Sequence, residues 1–134
     1  MSGESAHHVA LVAHLINVIR DRHSAVAGMF MLADHHSFGR DRPSQIGGYT
    51  PDVFASNIPD TFRVLGEAKT PDDLESQRSA RQLTAFLDHL CLREGSTLYV
   101  AVPLFYVPRA RMLIRSLRGE HHTAVNVQYI TANF

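Results

Sequence analysis

The chain has 134 residues, of which 45% are hydrophobic, and this length and apolar content predict a single domain spanning residues 1–134. Thirteen basic and thirteen acidic side chains cancel, which excludes a global positive field as the basis of nucleic-acid binding and leaves only local clusters of arginine for that purpose. No apolar run reaches the roughly 20 residues that span a bilayer, and the N-terminus lacks a secretory signal, so we predict a cytoplasmic protein.

The first part of the chain predicts a helix, a buried strand and a loop. Apolar residues at helical spacing run through residues 5–22, with Val12, Leu15 and Ile19 on one stripe. Residues 24–34 form a short segment rich in apolar residues, which favours a buried strand. Three glycines, a proline and two arginines then predict a loop over residues 35–48.

The remainder of the chain predicts a hairpin followed by alternating helices and strands. Residues 49–57 and 61–70 are strand-like runs joined across a short turn. Thr70 and Pro71 begin a helix that the apolar spacing carries to about Arg93. A buried strand at 96–105, an amphipathic helix at 107–118 and a final strand at 123–130 follow. The predicted order, αβββαβαβ, is that of an α/β fold.

Lys69 is the only lysine of the chain, since the other twelve basic residues are arginine. A lysine ammonium is compact and its pKa shifts readily, which suits proton transfer in a small site. Residues two apart on a strand share a face, so Glu67 and Lys69 are expected to point the same way. If the hairpin is centred between Pro59 and Asp60, Asp52 lies opposite Glu67, with Cβ atoms about 5 Å apart.

Two carboxylates on one face of a hairpin indicate a metal site. Like charges so close raise one pKa and destabilise the fold unless a cation lies between them. Carboxylate oxygens suit Mg²⁺ or Mn²⁺. Such an ion neutralises charge that builds on a phosphate oxygen, and a nearby lysine orients the attacking water or shares that charge. The pattern therefore favours hydrolysis of phosphodiester bonds.

At these residues the chain resembles the PD-(D/E)xK nuclease superfamily, with Pro-Asp at 51–52 and Glu-Ala-Lys at 67–69. The resemblance implies a restriction-endonuclease-like αβββαβ core with a mixed central sheet flanked by helices, to which this chain adds a C-terminal helix and strand. It also implies a metal-dependent nuclease, with DNA favoured over RNA by the habit of the superfamily. The residues implicated are Asp52, Glu67 and the carbonyl of Ala68 as metal ligands and Lys69 as the group that assists the attacking water.

Two further positions of the superfamily have partial matches here. Relatives of the RecB and Holliday-junction-resolvase kinds carry a glutamine or arginine on the next helix, sometimes as Q-x-x-x-Y. Gln82 occupies that place, followed by Phe86 in place of tyrosine, and it fits both a catalytic residue and an ordinary exposed helix residue. The superfamily also often has an acidic residue in its first helix. Glu4 is the candidate here, with His8 as a substitute metal ligand.

Local arginine clusters supply the candidate nucleic-acid contacts, and each arginine is also compatible with simple solvation. The candidates are Arg78, one turn before Gln82, Arg40 and Arg42 in the predicted loop, and Arg111 and Arg115 on one face of the last helix. A domain this small has limited surface for gripping a duplex, which favours a homodimer. Candidate dimer contacts are residues 125–134 and the exposed part of 103–108.

Two alternatives from other classes are open on the sequence. The first is a nuclease-fold module whose metal site is idle and which serves as a DNA-binding or assembly subunit. The second is a metal-binding protein that uses the histidine pairs at 7–8, 35–36 and 121–122. Adjacent residues point apart and rarely chelate through both rings, so surface or loop positions are expected for these histidines.

Overall fold

The structure, a computed structural model, describes residues 5–132. The predicted order of elements is confirmed, with the helix after the hairpin divided into two. The helices are α1 (Ala6–Arg22), α2 (Pro71–Leu74), α3 (Gln77–Leu90) and α4 (Val107–Leu117). The strands are β1 (Met29–Ala33), β2 (Val53–Asn57), β3 (Arg63–Ala68), β4 (Thr97–Pro103) and β5 (Asn126–Ala132).

The five strands form one mixed sheet in the order β1-β2-β3-β4-β5. β1, β2 and β3 pair antiparallel, whereas β3, β4 and β5 pair parallel. Val53 pairs with Gly66, which is the register expected from a hairpin centred between Pro59 and Asp60. The predicted αβββαβ core and the additional C-terminal helix and strand are both present, so the predicted fold class is confirmed.

Helices cover both faces of the sheet. The apolar stripe of α1, which includes Leu15 and Ile19, packs on one face, and α3 and α4 pack on the other through residues such as Phe86 and Ile114. Gly66 allows α1 to approach β3 closely, because a Cβ atom there would lie 2.9 Å from Leu15 Cδ2 and 3.1 Å from Ile19 Cδ1. The N-terminal end of α1 is thereby held near the end of β3 at which the predicted catalytic residues lie.

The single helix predicted from Thr70 to about Arg93 is wrong, because the chain forms α2, a break and then α3. The Asp73 carboxylate accepts hydrogen bonds from the Thr70 backbone N–H at 3.2 Å and from its hydroxyl at 2.9 Å, which closes α2 as a capped turn. Ser76 then caps α3 by accepting a hydrogen bond from the Ser79 N–H at 3.1 Å. Short polar side chains compete with a continuous helix in this way.

All five strands are shorter than predicted, and the largest differences are at the start of β1, which begins at Met29, and of β2, which begins at Val53. Gly28, immediately before β1, has a positive φ of 72°, so the chain turns there before it extends. Across residues 5–132, no helix combines the length and apolar character that crossing a bilayer requires.

Candidate active site

The four predicted catalytic residues lie together. Asp52, Glu67, Lys69 and Gln82 line one cavity of about 540 Å³, and each of them is less than a tenth exposed. The cavity opens at the carboxyl end of β3, beside the N-terminal end of α1, and most of its surface is polar. Buried charged groups that converge on a polar cavity are the usual mark of a functional site.

Hydrogen bonds across the β2–β3 hairpin hold the two carboxylates side by side. The Asp52 N–H donates to Glu67 Oε1 at 3.1 Å, and the Ala68 N–H donates to Asp52 Oδ2 at 2.8 Å. Beyond the end of β3, the Lys69 N–H donates to the Ala101 carbonyl at 2.8 Å and keeps the chain alongside β4. The backbone of three strands thus fixes where Asp52, Glu67 and Lys69 lie.

The Lys69 ammonium is held between a carboxylate and an amide. Its Nζ lies 3.2 Å from Glu67 Oε2 and donates a hydrogen bond of 2.5 Å to Gln82 Oε1. Gln82 is on α3 but is buried, which excludes its interpretation as an exposed helix residue. Glu67 and Lys69 point the same way, as the strand periodicity predicted.

Glu67 has an unusual protonation equilibrium. Its pKa is raised to about 8, first because the carboxyl is buried and second because Asp52 lies beside it. The positive charge of Lys69 acts in the opposite direction without overcoming these effects. Only when both carboxylates are ionised does their negative charge exceed what Lys69 offsets, and the raised pKa of Glu67 shows that this state is disfavoured without a further cation. The donor set fits an oxygen-binding divalent cation.

Two further side chains stand at the edge of this group. His8, on the first turns of α1, places Nε2 3.4 Å from Asp52 Oδ1 and lines the cavity. Asp34, which no sequence motif singles out, also lines the cavity, and its N–H donates to the Asp52 carbonyl at 2.8 Å. Because Ala33 pairs with Val53, Asp34 lies opposite Asp52 at the end of the β1–β2 pair. Its proximity to Asp52 can be recognised only once this register is known. Glu4 lies outside the described residues.

The candidate arginines divide into two groups. Arg78 lines the cavity, with its guanidinium 5.2 Å from the centre of the Tyr49 ring, whereas the other four do not line it. Arg42 is bound to Asp34 at 2.6 Å and to the Gly39 carbonyl at 2.9 Å. Arg40 is exposed in the same loop, and Arg111 and Arg115 are exposed on α4.

One histidine pair joins a group that lies apart from the cavity. Possible ligand atoms of Asp88, His121 and His122 lie within 4.8 Å of one another. His122 is buried, contrary to the expected surface position, and its Nε2 is 2.6 Å from Asp88 Oδ1. The Gly119 N–H donates to His122 Nδ1 at 3.0 Å, so the ring proton is on Nε2 and is donated to Asp88. A histidine that binds a metal through Nε2 instead donates its Nδ1–H, so these hydrogen bonds satisfy the group without a metal.

Comparison with known proteins supports the fold. No protein-family model matches the sequence, and no curated protein matches it significantly. The structure of Pyrococcus furiosus SfsA in complex with Ca²⁺ is similar, with a TM-score of 0.53 and 11% sequence identity. The similarity covers 90% of this chain and 56% of that protein. The chain therefore shares a fold with a little over half of SfsA.

Proposed function

We propose that this chain is a metal-dependent nuclease of the PD-(D/E)xK kind, formed by residues 1–134 as one domain, that hydrolyses phosphodiester bonds of nucleic acid, with DNA as the expected substrate. The observation that carries the proposal is the pair of buried carboxylates, Asp52 and Glu67, beside the buried ammonium of Lys69 in one open polar cavity. A strand face that is merely solvated does not bury three charged groups, because burial of unpaired charge is costly.

Asp52, Glu67 and the carbonyl of Ala68 are the proposed ligands of Mg²⁺ or Mn²⁺, with His8 completing the set on the α1 side. The raised pKa of Glu67 supports this assignment, because a second cation would allow both carboxylates to ionise. When bound, the ion neutralises charge on the phosphate and activates the attacking water. The Ca²⁺ in the SfsA structure is a cation of the same oxygen-binding class.

Lys69 is proposed to act directly on the reacting oxygens. A lysine ammonium has three N–H donors, and Glu67 and Gln82 take two of them. The third is available to the attacking water or to a phosphate oxygen, in a cavity that Lys69 itself lines. Gln82 is a positioning residue in this arrangement, because it fixes the ammonium without touching the substrate.

The proposal is tested by plasmid nicking and by the Asp52→Asn variant. Wild-type protein is expected to nick supercoiled plasmid when Mg²⁺ or Mn²⁺ is present and to stop when the ion is chelated. Asp52→Asn removes the like charge beside Glu67, so it is expected to raise the melting temperature of the metal-free protein slightly while weakening Mg²⁺ binding and nicking.

Calorimetric titration with Mg²⁺ and thermal melting measure these opposed effects on the same samples. Equal Mg²⁺ affinity in Asp52→Asn and wild type would remove Asp52 from the ligand set. Wild-type protein that binds Mg²⁺ and DNA but never nicks plasmid would instead favour the idle nuclease-fold module.

We also propose that the protein works as a homodimer through β5. This strand lies at one edge of the sheet, and an edge strand presents unpaired backbone groups to a second chain. A two-fold dimer would place two sites in opposite orientation, which matches the antiparallel strands of a duplex. Light scattering is expected to give twice the monomer mass of 15.0 kDa. A monomer at micromolar concentration, with and without DNA, would exclude the dimer.

A further inference from the structure

Large apolar side chains are exposed where β4 passes into α4. Phe105 is 90% exposed, Met112 is 68% exposed and Leu104 is 43% exposed. Among residues 5–132 most large apolar residues are buried on the two faces of the sheet, and this group supplies three of the six that are exposed. Grouped exposed apolar side chains commonly mark a binding surface.

Arginines alternate with these apolar residues. Arg109, Met112 and Arg115 are spaced three positions apart, which places them along one side of α4, and Phe105 lies in the 3₁₀ turn Leu104–Tyr106 immediately before that helix. We call Phe105, Arg109, Met112 and Arg115 the α4 stripe, and all four are exposed. α4 also carries the exposed Arg111 and contains no acidic residue. In a chain of zero net charge, this is a local concentration of positive charge.

The α4 stripe is linked through Arg109 to the segment that borders the candidate active site. Arg109 forms an ion pair with Glu75, which lies between the cavity-lining residues Asp73 and Ser76 in the sequence. From Arg109 to Arg115 the stripe rises about 9 Å along α4, and Phe105 extends it beyond the N-terminus of the helix, so the stripe is long enough to contact a few nucleotides.

We propose that the α4 stripe binds an unpaired strand of nucleic acid on its way to the cavity, and this inference rests on the proposed nuclease function for the role of that cavity. In a duplex the faces of the bases are covered by neighbouring bases, whereas the faces of unpaired bases are accessible for stacking on an exposed aromatic ring. Phe105 stacks on a base, Met112 packs against the next, and Arg111 and Arg115 contact the phosphates between them. Single-stranded or branched nucleic acid is the substrate class that this arrangement fits.

Charge argues against a second copy of the chain as the occupant. In a two-fold contact the same surface meets itself, so the arginines of one α4 would face the arginines of the other. Like charges brought together at an interface are unfavourable. Nucleic acid supplies negative charge and apolar base faces at once.

Fluorescence anisotropy without divalent metal tests the inference, because binding is then measured without cleavage. The probes are a labelled oligothymidine and a blunt hairpin duplex of the same nucleotide count. Wild type is expected to bind the oligothymidine more tightly than the duplex. Phe105→Ala is expected to weaken oligothymidine binding about tenfold and to leave duplex binding unchanged. Leu92→Ala is the matched control, because Leu92 is 80% exposed at the opposite end of β4.

A charge variant makes the same test independently. Arg115→Glu is expected to weaken oligothymidine binding and its salt dependence, whereas Arg20→Glu, on the exposed C-terminal turn of α1, is not. Equal behaviour of Phe105→Ala and Leu92→Ala, or equal wild-type affinity for both probes, would overturn the inference. Loss of self-association in Phe105→Ala by light scattering, with unchanged oligothymidine binding, would assign the stripe to a second copy and overturn it as well.

The same samples separate this inference from the nuclease proposal. A wild-type protein that cleaves neither supercoiled plasmid nor a single-stranded oligonucleotide in Mg²⁺ or Mn²⁺, but loses oligothymidine binding in Phe105→Ala, would refute the nuclease function and retain the single-strand surface. A protein that nicks plasmid and binds oligothymidine equally well with and without the Phe105 side chain would retain the nuclease function and refute the single-strand surface.

Discussion

Lys69→Met is expected to remain folded and to nick plasmid at least about 100-fold more slowly than wild type. Methionine keeps the apolar stem of the side chain and removes the ammonium that Glu67 and Gln82 hold in place. A loss of this size is expected because the Lys69 ammonium is proposed to contact the attacking water or a phosphate oxygen directly. Initial nicking rates at saturating Mg²⁺, together with far-UV circular dichroism, measure activity and fold on one preparation.

Removal of the ammonium also acts on Glu67. Without the positive charge, the pKa of the Glu67 carboxyl rises further, so the group takes up a proton and the fold is retained at neutral pH. Lys69→Arg is expected to be almost as inactive, because a broad planar guanidinium does not replace a compact ammonium between a carboxylate and an amide. Full activity in a folded Lys69→Met protein would show that Lys69 has no part in catalysis.

Glu67→Gln is expected to remove most of a pH dependence of stability in the metal-free protein. In wild type the folded-state pKa of Glu67 is about 8 against an ordinary value of 4.5, so folding takes up a proton between these two values. Stability from this group is complete below pH 4.5 and is lost as the pH rises toward 8, by at most about 1.4 kcal/mol per pH unit. Glutamine does not titrate and lacks this loss.

Chemical denaturation across that pH range, with chelator present, measures the difference between wild type and Glu67→Gln. Histidines titrate in both proteins, so subtraction of the two curves isolates Glu67. If the free energy of unfolding of wild type minus that of Glu67→Gln increased with pH, the raised pKa of Glu67 would be contradicted. In the presence of Mg²⁺ the wild-type affinity is expected to increase with pH over the same interval, because the ion competes with the proton for the Glu67 carboxylate.

The register of the site could be predicted from sequence because it depends on local chemistry. A turn centred between Pro59 and Asp60 fixes which residues pair, and the period of two along a strand then fixes which side chains share a face. Asp52 and Glu67 therefore come together before any tertiary contact is considered. The apolar stripes of α1 and α3 are local in the same sense, since helical spacing alone defines them.

Features that depend on distant packing could not be predicted in this way. Whether Gln82 is exposed or buried depends on which face of α3 packs against the rest of the protein, and α3 is a separate helix that begins after the break at Ser76. The break itself is a competition between two caps and a continuous helix, which propensity alone does not resolve. Likewise, Asp34 reaches the cavity through the pairing of β1 with β2, and the hydrogen-bond partner of the buried His122, Asp88, lies thirty-four positions earlier.

The absence of a side chain at Gly66 links the distance between α1 and the sheet to the position of His8 in the cavity. Helix α1 packs against β3 at Gly66 through Leu15 and Ile19, and its first turns bring His8 to Asp52. A substitution that increases the distance between α1 and β3 at Gly66 is expected to move α1 and so to carry His8 away from the Asp52 carboxylate. The distance between α1 and the sheet therefore sets the distance between His8 and Asp52 at the proposed metal site. A larger residue at position 66 would require smaller residues on α1 to preserve both distances.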